Sequence, residues 1–127
     1  MLLLDIIHLK TQFPTQDGMV KAVDTVDLQI AEGERIGLIG ETGCGKTVLG
    51  MSIVRLLQPS TTIEGRILYR GRDILQLNDE EMRRLRGKEI SMILQNPTTS
   101  LNPVLKIGDQ IAEAIQLHQK LGKREAK

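Results

Sequence analysis

The apolar positions of the chain change their period several times, and each change marks an element. "LLLDIIHLK" at the start predicts a strand, and residues 20–30, "VKAVDTVDLQI", alternate well enough to be a second. "FPTQDG" between them carries turn residues, and "AEGE" at 31–34 predicts a tight turn with Gly33 at positive φ. Residues 35–39 are a short apolar run of the type buried on both faces of a parallel sheet. Val48, Leu49, Ile53, Val54 and Leu57 then fall at helical spacing, and Pro59 ends the helix. "IEGRILYRGRD" predicts an edge strand or hairpin flanked by Gly65 and Gly71. Asn78 with Glu81 resembles a capping box for a helix to about Leu85, with Gly87 just past its end. A second buried-type strand is expected at 89–94, and the prolines and asparagines of "QNPTTSLNP" predict irregular backbone. Ile107, Ile111, Ile115, His118 and Leu121 mark the apolar face of a last helix. Strand, glycine loop, helix, strand, loop and helix in that order predict an α/β chain, with the first two strands forming an antiparallel element beside a parallel core.

Composition narrows the function classes. The 127 residues, 40% hydrophobic and 26% charged, suit one globular domain and exclude a disordered chain. A formal net charge of +1, one Tyr, one Phe and no Trp argue against nucleic-acid binding. Cys44 is the single cysteine, which removes a disulfide framework and points to a reducing compartment. The apolar start is interrupted by Asp5, too short to span a bilayer and without the basic start of a secretion signal. A cytoplasmic protein is expected, held at a membrane only through a partner.

The segment "GETGCGKT" carries the chemistry. Gly40, Gly45, Lys46 and Thr47 satisfy G-x-x-x-x-G-K-[ST] between a predicted strand and a predicted helix. Average residue frequencies would produce that pattern in roughly one of a few hundred chains of this length. The alternative is a flexible glycine turn. Glycines let backbone N–H groups point inward around a phosphate, and a helix starting near Lys46 adds the positive end of its dipole. Lys46 would reach the β- and γ-phosphates and the Thr47 hydroxyl would ligate Mg²⁺. Glu41, Thr42, Gly43 and Cys44 fill the variable positions, and the amides of residues 43–47 are the expected donors, with Val48 next along the helix. Cys44 reads as a small side chain tolerated in a loop.

Such a loop serves ATPases, GTPases and small kinases alike. "KAVDTVDLQIAEGERIGLIGETGCGKT" and "ISMILQNPTTSLNPVLKIGDQIAEAI" together resemble the ATP-binding subunit of an ABC transporter, across the whole chain. "TSLNP" is similar to the oligopeptide, dipeptide and nickel import branch. The resemblance implies a P-loop NTPase fold with a parallel core sheet, an N-terminal antiparallel β element and the start of a helical subdomain. It implies ATP and Mg²⁺ as ligands, transmembrane permease subunits and a second ATP-binding subunit as partners, and a place on the inner face of the cell membrane. It implies that Gln95 is the glutamine that touches Mg²⁺ or the attacking water, with Lys46 acting on the phosphates. Gln95 would otherwise be a solvated loop residue. "NPTTSLNPVLKIG" would then lie near the permease's coupling helix.

Other residues keep two readings. Phe13, the one aromatic near the N-terminal strands, either stacks adenine or fills a small core. Tyr69 is expected to pack on the hairpin, and His8 and His118 to be packed or half-buried. "EEMRRLRGKE" reads as a solvated helix face rather than a nucleic-acid contact.

The resemblance also leads one to expect more chain after Lys127: an LSGGQ-type signature, a Mg²⁺-holding aspartate, a catalytic glutamate and a switch histidine. "ILQLNDEE" is the nearest approach to a strand ending in Asp-Glu, and its acids belong to a helix start. The stretch is therefore expected to be the N-terminal part of one ABC-type domain, from a truncated reading frame or a deliberate cut. It is expected to hydrolyse ATP negligibly by itself and to be marginally stable. Two further readings stand beside this one: another P-loop enzyme such as a small kinase, and a non-enzymatic fragment that binds nucleotide weakly.

Overall fold

The computed structural model describes residues 1–122 and 124–126, with Pro97 and Thr99 described by backbone only. The chain divides into two compact units, Met1–Asn78 and Asp79–Lys127.

In the first unit, strands β1 (Leu2–Thr15) and β2 (Gly18–Ala31) form a long antiparallel hairpin. Both outrun the sequence reading, because "FPT" continues β1 and only Gln16 and Asp17 remain for the turn, across which Thr15 Oγ1 donates to the Gly18 carbonyl at 2.9 Å. Strand β3 (Thr62–Tyr69) pairs with the other side of β1, and β4 (Arg72–Asp73) closes the sheet in the order β2-β1-β3-β4. The expected hairpin over 63–73 is present, with β3 inside the sheet rather than at its edge. Gly33 takes φ 77° in the turn after β2, as its position predicts.

The inward residues of β1 change phase midway. Leu4 and Ile6 are buried, and so are Leu9 and Thr11, because one extra residue is inserted at His8, which has φ 48°. That bulge flips the period-two pattern from even to odd positions. It is pinned by Asp27, which accepts the His8 amide at 2.7 Å and faces its Nδ1 at 3.1 Å. The amide bond, with the His8 ring's hydrogen bond and charge, holds the Asp27 carboxyl below its ordinary range. Opposite the bulge stands Gly65 at φ 99°; a Cβ there would lie 2.6 Å from the carbonyl oxygens of Ile7 and His8. His8 is therefore exposed, with its ring 3.1 Å from the Asp27 carboxylate, which corrects the packed imidazole expected of it; the bulge turns the ring out of the core.

Helix α1 (Lys46–Ile53) follows the glycine loop and contributes buried Leu49 and Ser52. Ser52 Oγ donates to the Val48 carbonyl at 2.7 Å and lies 2.9 Å from Thr11 Oγ1, so the fully buried Thr11 hydroxyl donates to it. This bond ties α1 to the central strand. After α1, Arg55 caps the turn of residues 74–76 by donating to the carbonyls of Ile74 and Leu77 at 3.2 and 2.7 Å.

Residues 35–41 have neither helix nor strand, and Ile39 is 96% exposed. The strand expected at 35–39 is thus absent as a paired element, because a parallel strand exists only through its neighbours' backbone groups and no described residue supplies them.

The second unit opens with α2 (Asp79–Leu85), bounded as its capping signals predict, and turns at Gly87, φ 78°. Only an isolated bridge, Arg86 with Ile90, stands where the strand at 89–94 was expected; Ile93 is 98% exposed. The same lack of neighbours explains it. A short helix α3 (Pro97–Ser100) corrects the irregular backbone expected of "QNPTTSLNP". Asn96 caps it by accepting the Thr98 amide at 3.2 Å, and Pro97 occupies the first turn, where its missing N–H costs nothing. Helix α4 (Ile107–Gln119) is locked to the preceding loop by Gln110, whose amide group exchanges bonds of 2.8 and 2.9 Å with the Asn102 backbone. Its predicted face is mostly uncovered: Ile107 and Ile111 are exposed and Ala112 is its buried residue.

Candidate functional site

The glycine loop is curled. Cys44 N–H donates to the Glu41 carbonyl at 3.3 Å, Gly43 and Gly45 take φ 83° and 92°, and Leu49 N–H closes the first helical bond to Gly45 at 2.8 Å. Gly45 is the helix N-cap, supplies no side-chain acceptor, and no acidic residue occupies the first turn. The amides of Lys46, Thr47 and Val48 therefore face outward from the helix start without an internal partner. Gly45 also presses on β2, since any Cβ there would run into the Ala22 carbonyl oxygen. Only glycine satisfies both the left-handed backbone and that contact.

Lys46 folds its side chain back across the loop. Its Nζ donates to the carbonyls of Gly40 and Glu41, both at 2.6 Å, and lies 3.2 Å from Cys44 Sγ. No carboxylate takes part in that arrangement. The ammonium rests on neutral acceptors at the mouth of the curl. Its hydrogen bond and charge hold the exposed Cys44 thiol below the ordinary thiol range, against a smaller opposing effect of desolvation. Beside the curl, a hollow of about 270 Å³ is bounded by Ala22, Asp24 and Val26 of β2 and by Leu38, Cys44 and Lys46. Ammonium, helix-start amides and a hydroxyl form a donor set for an anion, and the close backbone approach at Gly45 seats the helix start against β2. That donor set fits a polyphosphate. For a metal ion the loop offers the exposed Thr47 hydroxyl, and no group of three His, Cys, Asp or Glu side chains suited to a metal occurs among the described residues.

Residues 40–48 thus come together as one loop and helix start. Phe13 lies on β1 opposite Val20, half-buried, and does not line the hollow. Gln95 sits in an exposed bend of the second unit. The sequence reading missed the wall supplied by Ala22, Asp24 and Val26. Alternation along the strand could not have signalled it, because β2 carries an extra residue between Val23 and Val26, with Thr25 at φ 52°.

Residues 23–127 match the family model described as ABC transporter. The chain belongs to this family. Relatives include a probable peptide ABC transporter ATP-binding protein of Sinorhizobium fredii, 43% identical over 98% of this chain and 38% of its own length. The dipeptide transport ATP-binding protein of Bacillus subtilis is 44% identical, with the same two coverages. The oligopeptide transport ATP-binding protein of Escherichia coli is 40% identical over 98% of this chain and 37% of itself. The chain therefore spans less than two-fifths of the length of these relatives. A bacterial ABC transporter cassette solved as a dimer matches with a TM-score of 0.80 at 21% identity, covering 97% of this chain and 52% of that one. The same cassette in a post-hydrolysis state with ADP and Pi matches with a TM-score of 0.79 at 20% identity, over 97% and 53%. The fold is accordingly the α/β fold of ABC cassettes. The family's ATP-binding character, with peptide and dipeptide importer subunits as homologues, is what the resemblance of the two motif segments implied.

Proposed function

We propose that the chain is the N-terminal part of a single ATP-binding domain, residues 1–127, which grips the phosphate tail of MgATP and serves an importer of peptides or similar solutes. One observation carries this reading: the Lys46 ammonium, bridging Gly40 and Glu41 at 2.6 Å with no carboxylate on it, is poised to exchange neutral carbonyls for anionic oxygens. Gly43, Cys44, Gly45 and Val48 frame the cradle with Glu41 and Thr42 at its rim, Thr47 would hold Mg²⁺, and Gln95 is proposed as a further contact to Mg²⁺ or the attacking water. Phe13 is the proposed adenine platform. Bound Mg²⁺ would neutralise phosphate charge; the chain's own residues bind, orient and shield.

Permease subunits and a second ATP-binding subunit are the proposed partners, which would place the protein peripherally on the inner face of the cell membrane. No described helix is long and apolar enough to cross a membrane. Asp24 is the one carboxylate among the residues bounding the hollow, and this stretch alone is expected to bind nucleotide without turnover. The test is turnover with the remainder of the Bacillus dipeptide relative supplied in trans. Release of ADP and phosphate, dependent on that addition, is expected. A phosphorylated small-molecule product would mark a kinase and overturn the reading.

A further inference from the structure

The second unit contains a hollow of about 410 Å³, bounded by Glu80, Arg83 and Arg84 of α2, by Lys88, and by Leu117, His118 and Lys120 at the end of α4. That volume suits a small ligand. Four cationic side chains meet one carboxylate there, in a chain whose net charge is +1. Glu80 is engaged with Arg83 at 3.0 Å and Arg84 at 3.2 Å, which fixes both guanidinium groups at the rim. Among the described residues, Lys88 and Lys120 have no side-chain partner.

The backbone builds this concentration of charge. Gly87, at φ 78°, reverses the chain after α2 and returns Lys88 to the rim; the His118 ring is seated so closely that a Cβ on Gly87 would lie 2.7 Å from its Nε2. Lys120, left-handed at φ 54°, ends α4 on the same rim. Lysines near helix ends commonly answer the helix dipole alone. Here both line one hollow with two arginines held by Glu80, and Leu117 gives it an apolar lining.

We infer that this hollow binds a phosphate mono- or diester, its charged oxygens on Lys88, Lys120 and the two arginines and its organic portion against Leu117. Guanidinium and ammonium groups together suit a tetrahedral oxyanion. A soluble phosphoester and the headgroup of an anionic lipid share this chemistry.

The test uses the full chain and follows the His118 ring and Gly87 amide resonances during titration with inorganic phosphate, alongside co-sedimentation with phosphatidylglycerol and phosphatidylcholine vesicles. Lys46→Ala protein keeps phosphate binding at the glycine loop out of the signal. Shifts at His118 and Gly87 that weaken at least about fivefold in Lys88→Gln/Lys120→Gln protein support a soluble phosphoester. Binding to phosphatidylglycerol alone, lost in the same double variant, supports a headgroup. No shift and no vesicle binding, or either effect unchanged in the double variant, overturns the inference. The substituted lysines are exposed, so an unchanged circular dichroism spectrum is expected and separates lost binding from lost folding.

Discussion

Gly45 lies against the carbonyl oxygen of Ala22, close enough that no side chain fits between the loop and strand β2. Gly43, two residues earlier, is also left-handed at φ 83° but has open space where a Cβ would go. The pair separates backbone strain from steric conflict. Gly43→Ala should cost about 1–2 kcal/mol, the left-handed penalty alone. Gly45→Ala adds displacement of the loop from β2, and should lower stability by at least about 1 kcal/mol more and abolish nucleotide binding. Urea unfolding and an ATP titration on both variants check this; equal losses would contradict the contact.

The hydroxyl bond between Thr11 and Ser52 carries a second prediction. Ser52→Ala leaves the buried Thr11 hydroxyl without its acceptor and should cost about 1–3 kcal/mol. Thr11→Val/Ser52→Ala removes both members and should be less damaging than the two single losses added together. Chemical denaturation of the four proteins measures the coupling.

The thiol of Cys44 supplies a pH prediction. Its hydrogen bond from Lys46 lowers the pKa in the folded protein, so the stability this gives is present above the ordinary thiol pKa. It is lost as pH falls through the folded value. Alkylation by iodoacetamide should therefore have its midpoint below that of the urea-unfolded chain, and Lys46→Ala should move the midpoint up. MgATP, by drawing the ammonium to phosphate, should slow the reaction at a fixed pH. Identical pH profiles for wild type and Lys46→Ala would remove the Lys46–Cys44 contact from the account.

How far the chain could be read without coordinates depends on whether an element is specified by its own residues. The curl of residues 40–47, the start of α1 at Lys46 and the bounds of α2 follow from local chemistry, in glycine, charge and caps. Segments 35–39 and 89–94 have the residues of buried strands, but pairing is a property of neighbours, and apolar composition cannot report whether they are present. The His8 bulge was hidden because a single inserted residue leaves composition unchanged while moving every later side chain to the other face. Helix α3 was hidden because proline reads as a breaker unless Asn96 is recognised as its cap. The basic stretch of α2 read as a solvated face; only the fold brings Lys120 beside it.

The central claim is that the loop's amides and the Lys46 ammonium together hold a polyphosphate. Its most direct measurement is calorimetric titration of the chain with MgATP, beside Lys46→Ala. The account predicts saturable binding for the wild type and at least about a tenfold loss for the variant, since a charge-assisted contact to phosphate is removed. Equal affinity in the two proteins would contradict it.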